Sequence, residues 1–166
     1  IDMRRKKKAV SKLESSDIWV MVIYLLISAI LFLLYNNLTS LSSKSKVVFF
    51  YGYGTQFFLY MFQYKAMRKP VVYALWCIVG LGHLGIYLWV KQTAYFIWEM
   101  TVFRNTIILL LLFQLLRWVS LRVQGMDLAA GKIGKTDSFD GRRINLFDLL
   151  LTFIYLGVCL GLLLTH

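Results

Sequence analysis

Ile18-Trp-Val-Met-Val-Ile-Tyr-Leu-Leu-Ile-Ser-Ala-Ile-Leu-Phe-Leu-Leu-Tyr-Asn-Asn-Leu38 decides the fold. No charge falls between Asp17 and Lys44. A helix rises about 1.5 Å per residue, so about 20 apolar residues cross a hydrocarbon core about 30 Å thick. The run is continuous rather than alternating, and in lipid every backbone amide needs an internal partner, so a helix is the expected form. Asp17 and the Ser15-Ser16 pair suit a helix start. No row of small residues follows to form a cleavage site, so the run is expected to be retained.

Four more such runs follow. The second spans Val47 to Tyr64, bounded by Lys46 and Lys65. The third spans Pro70 to Val90, with the single proline in its first turn, where a missing N–H costs nothing. The fourth spans Gln92 to Leu116 and carries two charges, Glu99 and Arg104. The fifth spans Ile144 to Thr165, with Asp148 near its start. The expectation is an all-α integral membrane bundle of about five transmembrane helices. Residues 1–17 form a basic segment, 18–116 hold helices one to four, 117–143 are a basic loop, and 144–166 hold helix five. Residues 39–46 read as a polar loop and 65–69 as a tight basic turn. Arg117 to Met126 can continue helix four into the interface, where Trp118 fits.

Composition agrees. Of the 166 residues 59% are hydrophobic and 16% charged, against about half and a quarter in soluble domains. That excludes disorder, a disulfide scaffold and an ordinary water-soluble domain. The net charge is +11, but the basic residues border the apolar runs, so anionic lipid rather than nucleic acid is the expected counter-charge. Residues 1–17 carry six basic residues, 65–69 three and 117–143 six, against Lys44, Lys46 and Lys91 elsewhere. Five spans put the three richer segments on one side. The bias predicts a cytoplasmic N-terminus and His166 on the opposite side. Cys77 and Cys159 lie in separate apolar runs, and no disulfide is expected.

Several patterns tempt a chemical reading. Ala129-Ala-Gly-Lys-Ile-Gly134-Lys135-Thr136 resembles a relaxed phosphate loop. It lacks the strand before and the apolar helix after that such a loop needs. Asp137 and Asp140 with Gly141 fit a turn better than a calcium loop. Tyr51-Gly52-Tyr53-Gly54 lies inside a spanning run and reads as a place where another helix packs closely, not as an ion filter. Asn37-Leu38-Thr39 fits a glycosylation pattern but stands too close to the apolar run to count for much. No metal cluster, cofactor signature or small-molecule substrate site is legible, and no catalysis is expected.

The polar residues inside the runs are the candidate partner contacts. His83 stands among Gly80, Gly82 and Gly85, and its first expectation is an interhelical hydrogen bond. On a helical wheel counted from Gln92, Glu99, Thr106 and Gln114 fall at about −20°, −40° and +40°, one stripe about 80° wide. Arg104 falls off it, and on a helix starting at Gln92 lies roughly 18 Å deep, near the midplane. Neither charge has an evident partner in the chain, which points to another subunit. Gly157 and Gly161 form a small-xxx-small pair that favours close helix pairing. These features predict a non-catalytic scaffold or accessory subunit in the membrane part of a multi-protein complex, partnered by other membrane subunits and anionic lipid. The alternative is a small oligomeric transporter or channel using the polar face of helix four.

Overall fold

The computed structural model describes residues 13–92, 98–129 and 144–164. The chain is all-helical, with five long helices and no strand among the described residues. They are α1 (Ser15–Asn37), α2 (Leu41–Phe62), α3 (Pro70–Lys91), α4 (Thr101–Gln124) and α5 (Leu146–Leu164). Three of them, α1, α3 and α4, are long and apolar enough to cross a membrane. Two short 3-10 turns, Ala66–Arg68 and Trp98–Met100, precede α3 and α4.

The local chemistry explains the boundaries. At the start of α1, Asp17 Oδ2 accepts from the Glu14 backbone N–H at 3.0 Å, so the helix begins one turn before the apolar run. Residues 41–46, expected as loop, are the first turns of α2. Their serines and lysines are too polar for hydrocarbon, but backbone hydrogen bonding does not stop where lipid does. Only residues 38–40 then link α1 to α2. Pro70 is the first residue of α3. At the far end of α4, Gly125 has φ 66°, a left-handed geometry that glycine adopts without strain, and its N–H caps Leu121 at 3.1 Å. Helix four does run on past Leu116 to Gln124.

The fourth span needs the largest correction. The expected helix from Gln92 to Leu116 leaves no residues for the chain to reverse after α3. Reversal is required, because α3 and α4 pack antiparallel: Gly80 sits against Ile107 and Leu110, and His83 against Thr106. The turn therefore takes residues from the expected span. Gln92 caps the end of α3, Glu99 lies in the 3-10 turn, and α4 starts at Thr101.

The core lies along α2, α3 and α4. Trp76 is fully buried on α3, meeting Tyr24 of α1 edge-on at 4.9 Å between centroids. Tyr60 of α2 stacks on Tyr155 of α5 at 4.0 Å. Close approach is set by two glycines. A Cβ on Gly52 would overlap the Val102 side chain, and a Cβ on Gly80 would stand 3.0 Å from Leu110 Cδ1. By contrast α1 buries only Asp17 and Tyr24.

Polar bonds gather four segments at one end of the bundle. Lys69 Nζ reaches Asp17 at 2.8 Å and Glu14 at 2.9 Å. Arg68 Nη2 donates to the Leu128 carbonyl at 2.5 Å, and Gln124 Nε2 donates to Asp148 at 3.3 Å. The start of α1, the turn before α3, the end of α4 and the start of α5 thus share one end. Of the long loop, residues 130–143 lie outside the described residues, and with them most of the phosphate-loop pattern, Asp137, Asp140 and Gly141.

Candidate functional site

The largest polar constellation is built from four helices. Tyr24 and Ser28 stand one turn apart on α1, and Tyr51 and Thr55 one turn apart on α2. His83 comes from α3 and Thr106 from α4. His83 Nε2 lies 3.1 Å from Tyr51 Oη and 3.4 Å from Tyr24 Oη. The two tyrosine oxygens are 2.9 Å apart. Tyr24 Oη also meets Thr55 Oγ1 at 3.3 Å, and Tyr51 Oη meets Ser28 Oγ at 2.9 Å. On the far side of the imidazole, Nδ1 is 3.3 Å from Thr106 Oγ1. His83, Thr55 and Thr106 are all buried.

Following the protons shows what this arrangement does. Ser28 donates to the Tyr24 carbonyl and Thr55 to the Tyr51 carbonyl, each at 2.8 Å. Thr106 donates to the Val102 carbonyl at 3.3 Å. Thr106 Oγ1 then accepts from His83 Nδ1–H, which leaves Nε2 as an acceptor for a tyrosine hydroxyl. Every hydroxyl finds a partner, and the chain of bonds ends on main-chain carbonyls of α1, α2 and α4. Among the described residues these bonds tie four helices together.

A second set joins α2, α4 and α5. Gln56 Nε2 donates to the Val102 carbonyl at 2.9 Å, and Cys159 Sγ lies 4.0 Å from Gln56 Oε1. Asn105, fully buried, donates through Nδ2 to the Leu162 carbonyl at 3.3 Å. Both cysteines are free thiols.

The residues singled out from sequence separate into two groups. His83 and Thr106 come together. Glu99 does not share a helix face with Thr106 and Gln114, because the wheel counted from Gln92 runs across a turn. Its carboxylate instead accepts from Ser45 Oγ of α2, within the chain. Arg104 lies in the first turn of α4, about 5 Å along its axis, not near its middle. Its guanidinium faces Asn105 Oδ1 at 3.3 Å and the Tyr87 ring at 5.8 Å. The expected shortage of partners for both residues is corrected: each has one in this chain. Gln114 is half-buried on α4 and joins neither set. Of the glycines, Gly80 is a contact with α4. Around Gly82, Gly85, Gly157 and Gly161 no other part of the described residues comes within 4 Å of a Cβ position, so among those residues they are not packing contacts. No group of three metal-ligating side chains occurs among the described residues.

Tyr24, Ser28, Tyr51 and Thr55 escaped the sequence reading. Their signal was present: two polar pairs at i, i+4 spacing, each inside an apolar run. Asp148 is likewise more than a helix-start residue. It is fully buried, accepts from the Asn145 backbone N–H at 3.2 Å, and joins α5 to α4 through Gln124.

At the end of the bundle, burial alone would lower the Lys69 ammonium. The carboxylates of Asp17 and Glu14 outweigh it and hold its pKa above the ordinary lysine value. Comparison of the chain with protein families, curated proteins and solved structures gives no match.

Proposed function

We propose that the chain is a non-catalytic scaffold or accessory subunit in the membrane part of a larger assembly. One observation carries the reading: the buried polar side chains best placed for chemistry among the described residues are bonded to partners inside the chain. The His83 network ends on main-chain carbonyls, and Glu99 and Arg104 have partners inside the chain. What remains for other molecules is the outer surface. There α1 is apolar over most of its circumference, and α5 presents Gly157 and Gly161 with open space before them. Small residues on an outward face let a neighbouring helix approach closely. The basic bias of residues 1–17, 65–69 and 117–143 supports a cytoplasmic N-terminus and contact with anionic lipid or acidic partners on that side.

The transporter alternative draws on the same polar interior. It requires a connected path through the bundle, whereas the bonds of the His83 network end on main-chain carbonyls. Purification from native membranes in mild detergent tests the choice. The scaffold reading expects further membrane polypeptides to co-purify in fixed ratio, and Gly157→Leu with Gly161→Leu to release them. A solitary protein that moves an ion or solute across liposomes, with flux lost in His83→Gln or Glu99→Gln, overturns it.

A further inference from the structure

The cations at the Lys69 end of the bundle divide by what meets them. Lys69 faces Glu14 and Asp17, Arg117 Nε is bound by Asp127 at 2.7 Å, and Arg68 is buried on the Leu128 carbonyl. Arg122 differs. It is exposed on α4, and among the described residues no carboxylate meets it. Its guanidinium instead lies 5.5 Å from the centroid of the exposed Trp118 ring.

The position of that pair is specific. Leu111, Leu115, Trp118 and Arg122 follow one another at spacings of four, three and four, which places them in one line along the helix. Leu111, Leu115 and Trp118 are all exposed. The line therefore runs from aliphatic side chains, through an indole, to a guanidinium at the bundle end that no carboxylate of the described residues meets. A phospholipid has the same order: acyl chain, glycerol ester, phosphate. Indoles settle at the glycerol level, and a planar guanidinium matches two phosphate oxygens in a fork that an ammonium does not. Stacking on Trp118 holds the fork in place before the lipid arrives.

We propose that this face of α4 is a binding site for one anionic phospholipid, with Arg122 and Trp118 on its headgroup and Leu115 and Leu111 along a chain. This deepens the lipid contact in the function proposed above. It does not depend on whether the chain is a scaffold, because the site belongs to one helix of the isolated protein.

The test uses the full chain reconstituted in phosphatidylcholine vesicles, with chain-brominated phosphatidylglycerol or chain-brominated phosphatidylcholine as quencher. The Trp118 signal is the emission lost between the wild type and Trp118→Phe. Quenching of that signal is expected to reach half its limit at about fivefold lower mole fraction of the anionic lipid. Arg122→Gln should abolish the preference, and Arg122→Lys should retain part of it. Both are exposed substitutions, and far-ultraviolet circular dichroism should show unchanged helix content. Inorganic phosphate in the buffer should not compete, since it supplies no chains. Equal quenching by the two lipids in the wild type overturns the proposal, as does an undiminished preference in Arg122→Gln. Competition by inorganic phosphate would make the site a free-anion site and overturn its assignment to lipid. Co-purification, the readout for the scaffold reading, is unaffected by either result.

Discussion

Gly52→Ala tests the packing of α2 on α4 most directly. A methyl at position 52 would overlap Cβ and both Cγ atoms of Val102. Val102 is fully buried, and a β-branched side chain on a helix has one favoured rotamer, so it cannot swing aside. Overpacking of this kind costs about 1–3 kcal/mol, and three close atoms on a stiff neighbour place it in the upper half of that range. Alanine in a helix recovers about 1 kcal/mol of propensity relative to glycine. The net loss for Gly52→Ala is then about 1–2 kcal/mol. Val102→Ala alone should also destabilise, because in a bilayer the removed methyls give up packing contacts rather than exposure to water. The double variant removes both Cγ overlaps and leaves only the Cβ contact at 2.9 Å, so the two losses should not add. The propensity gain cancels in the cycle, leaving a coupling of about 2 kcal/mol in favour of the double variant. Reversible unfolding in mixed micelles measures all four corners. Additivity within about 0.5 kcal/mol would refute the close approach of α2 and α4 at this point.

Three further outcomes follow from the geometry. Tyr24→Phe removes the hydroxyl that bridges α1 to Thr55, Tyr51 and His83, and should cost about 1 kcal/mol in the same unfolding assay. A Tyr24→Phe protein as stable as wild type would mean that this hydroxyl does not hold α1. Because the Lys69 pKa is raised on folding, its contribution is complete below the ordinary lysine value of 10.5 and falls away as pH climbs through the folded value. A stability profile between pH 9 and 12 should therefore fall at its upper end, and Lys69→Met should flatten it. Ser42→Cys and Met126→Cys, each in a background without Cys77 and Cys159, should react with an impermeant thiol reagent from opposite sides of sealed vesicles. Labelling of both from one side would overturn the expected topology.

The helices that could be read from the sequence were those with chemical edges. Span one begins beside Asp17 and span three at Pro70, and the structure places both ends within a few residues. Where the edge was not chemical the reading failed. Residues 92–100 contain no glycine or proline, so hydropathy runs through the turn between α3 and α4 without a mark. The misplaced helix start then carried Arg104 to a false depth and joined Glu99 to a stripe it does not share. The site suffered from a different limit. His83 was legible as a hydrogen-bonding group, but its partners Tyr24, Tyr51 and Thr106 lie 59, 32 and 23 residues away. A helical wheel describes one helix at a time and holds no information on which faces meet.

The wiring of Tyr24 imposes an order in time. As the chain is made, α1 enters the membrane before any of its partners exist. Of the groups around its phenol, Thr55 and Tyr51 arrive with the next helix and His83 only with the third. Thr106, which accepts on the other side of the imidazole, comes with the fourth. The first helix must therefore be stable in lipid on its own apolar surface, as its single buried aromatic and largely exposed circumference allow. Only when the fourth helix is in place can the network close, so its last bond reports that the first four helices have packed, before the fifth docks through Tyr155 and Leu162.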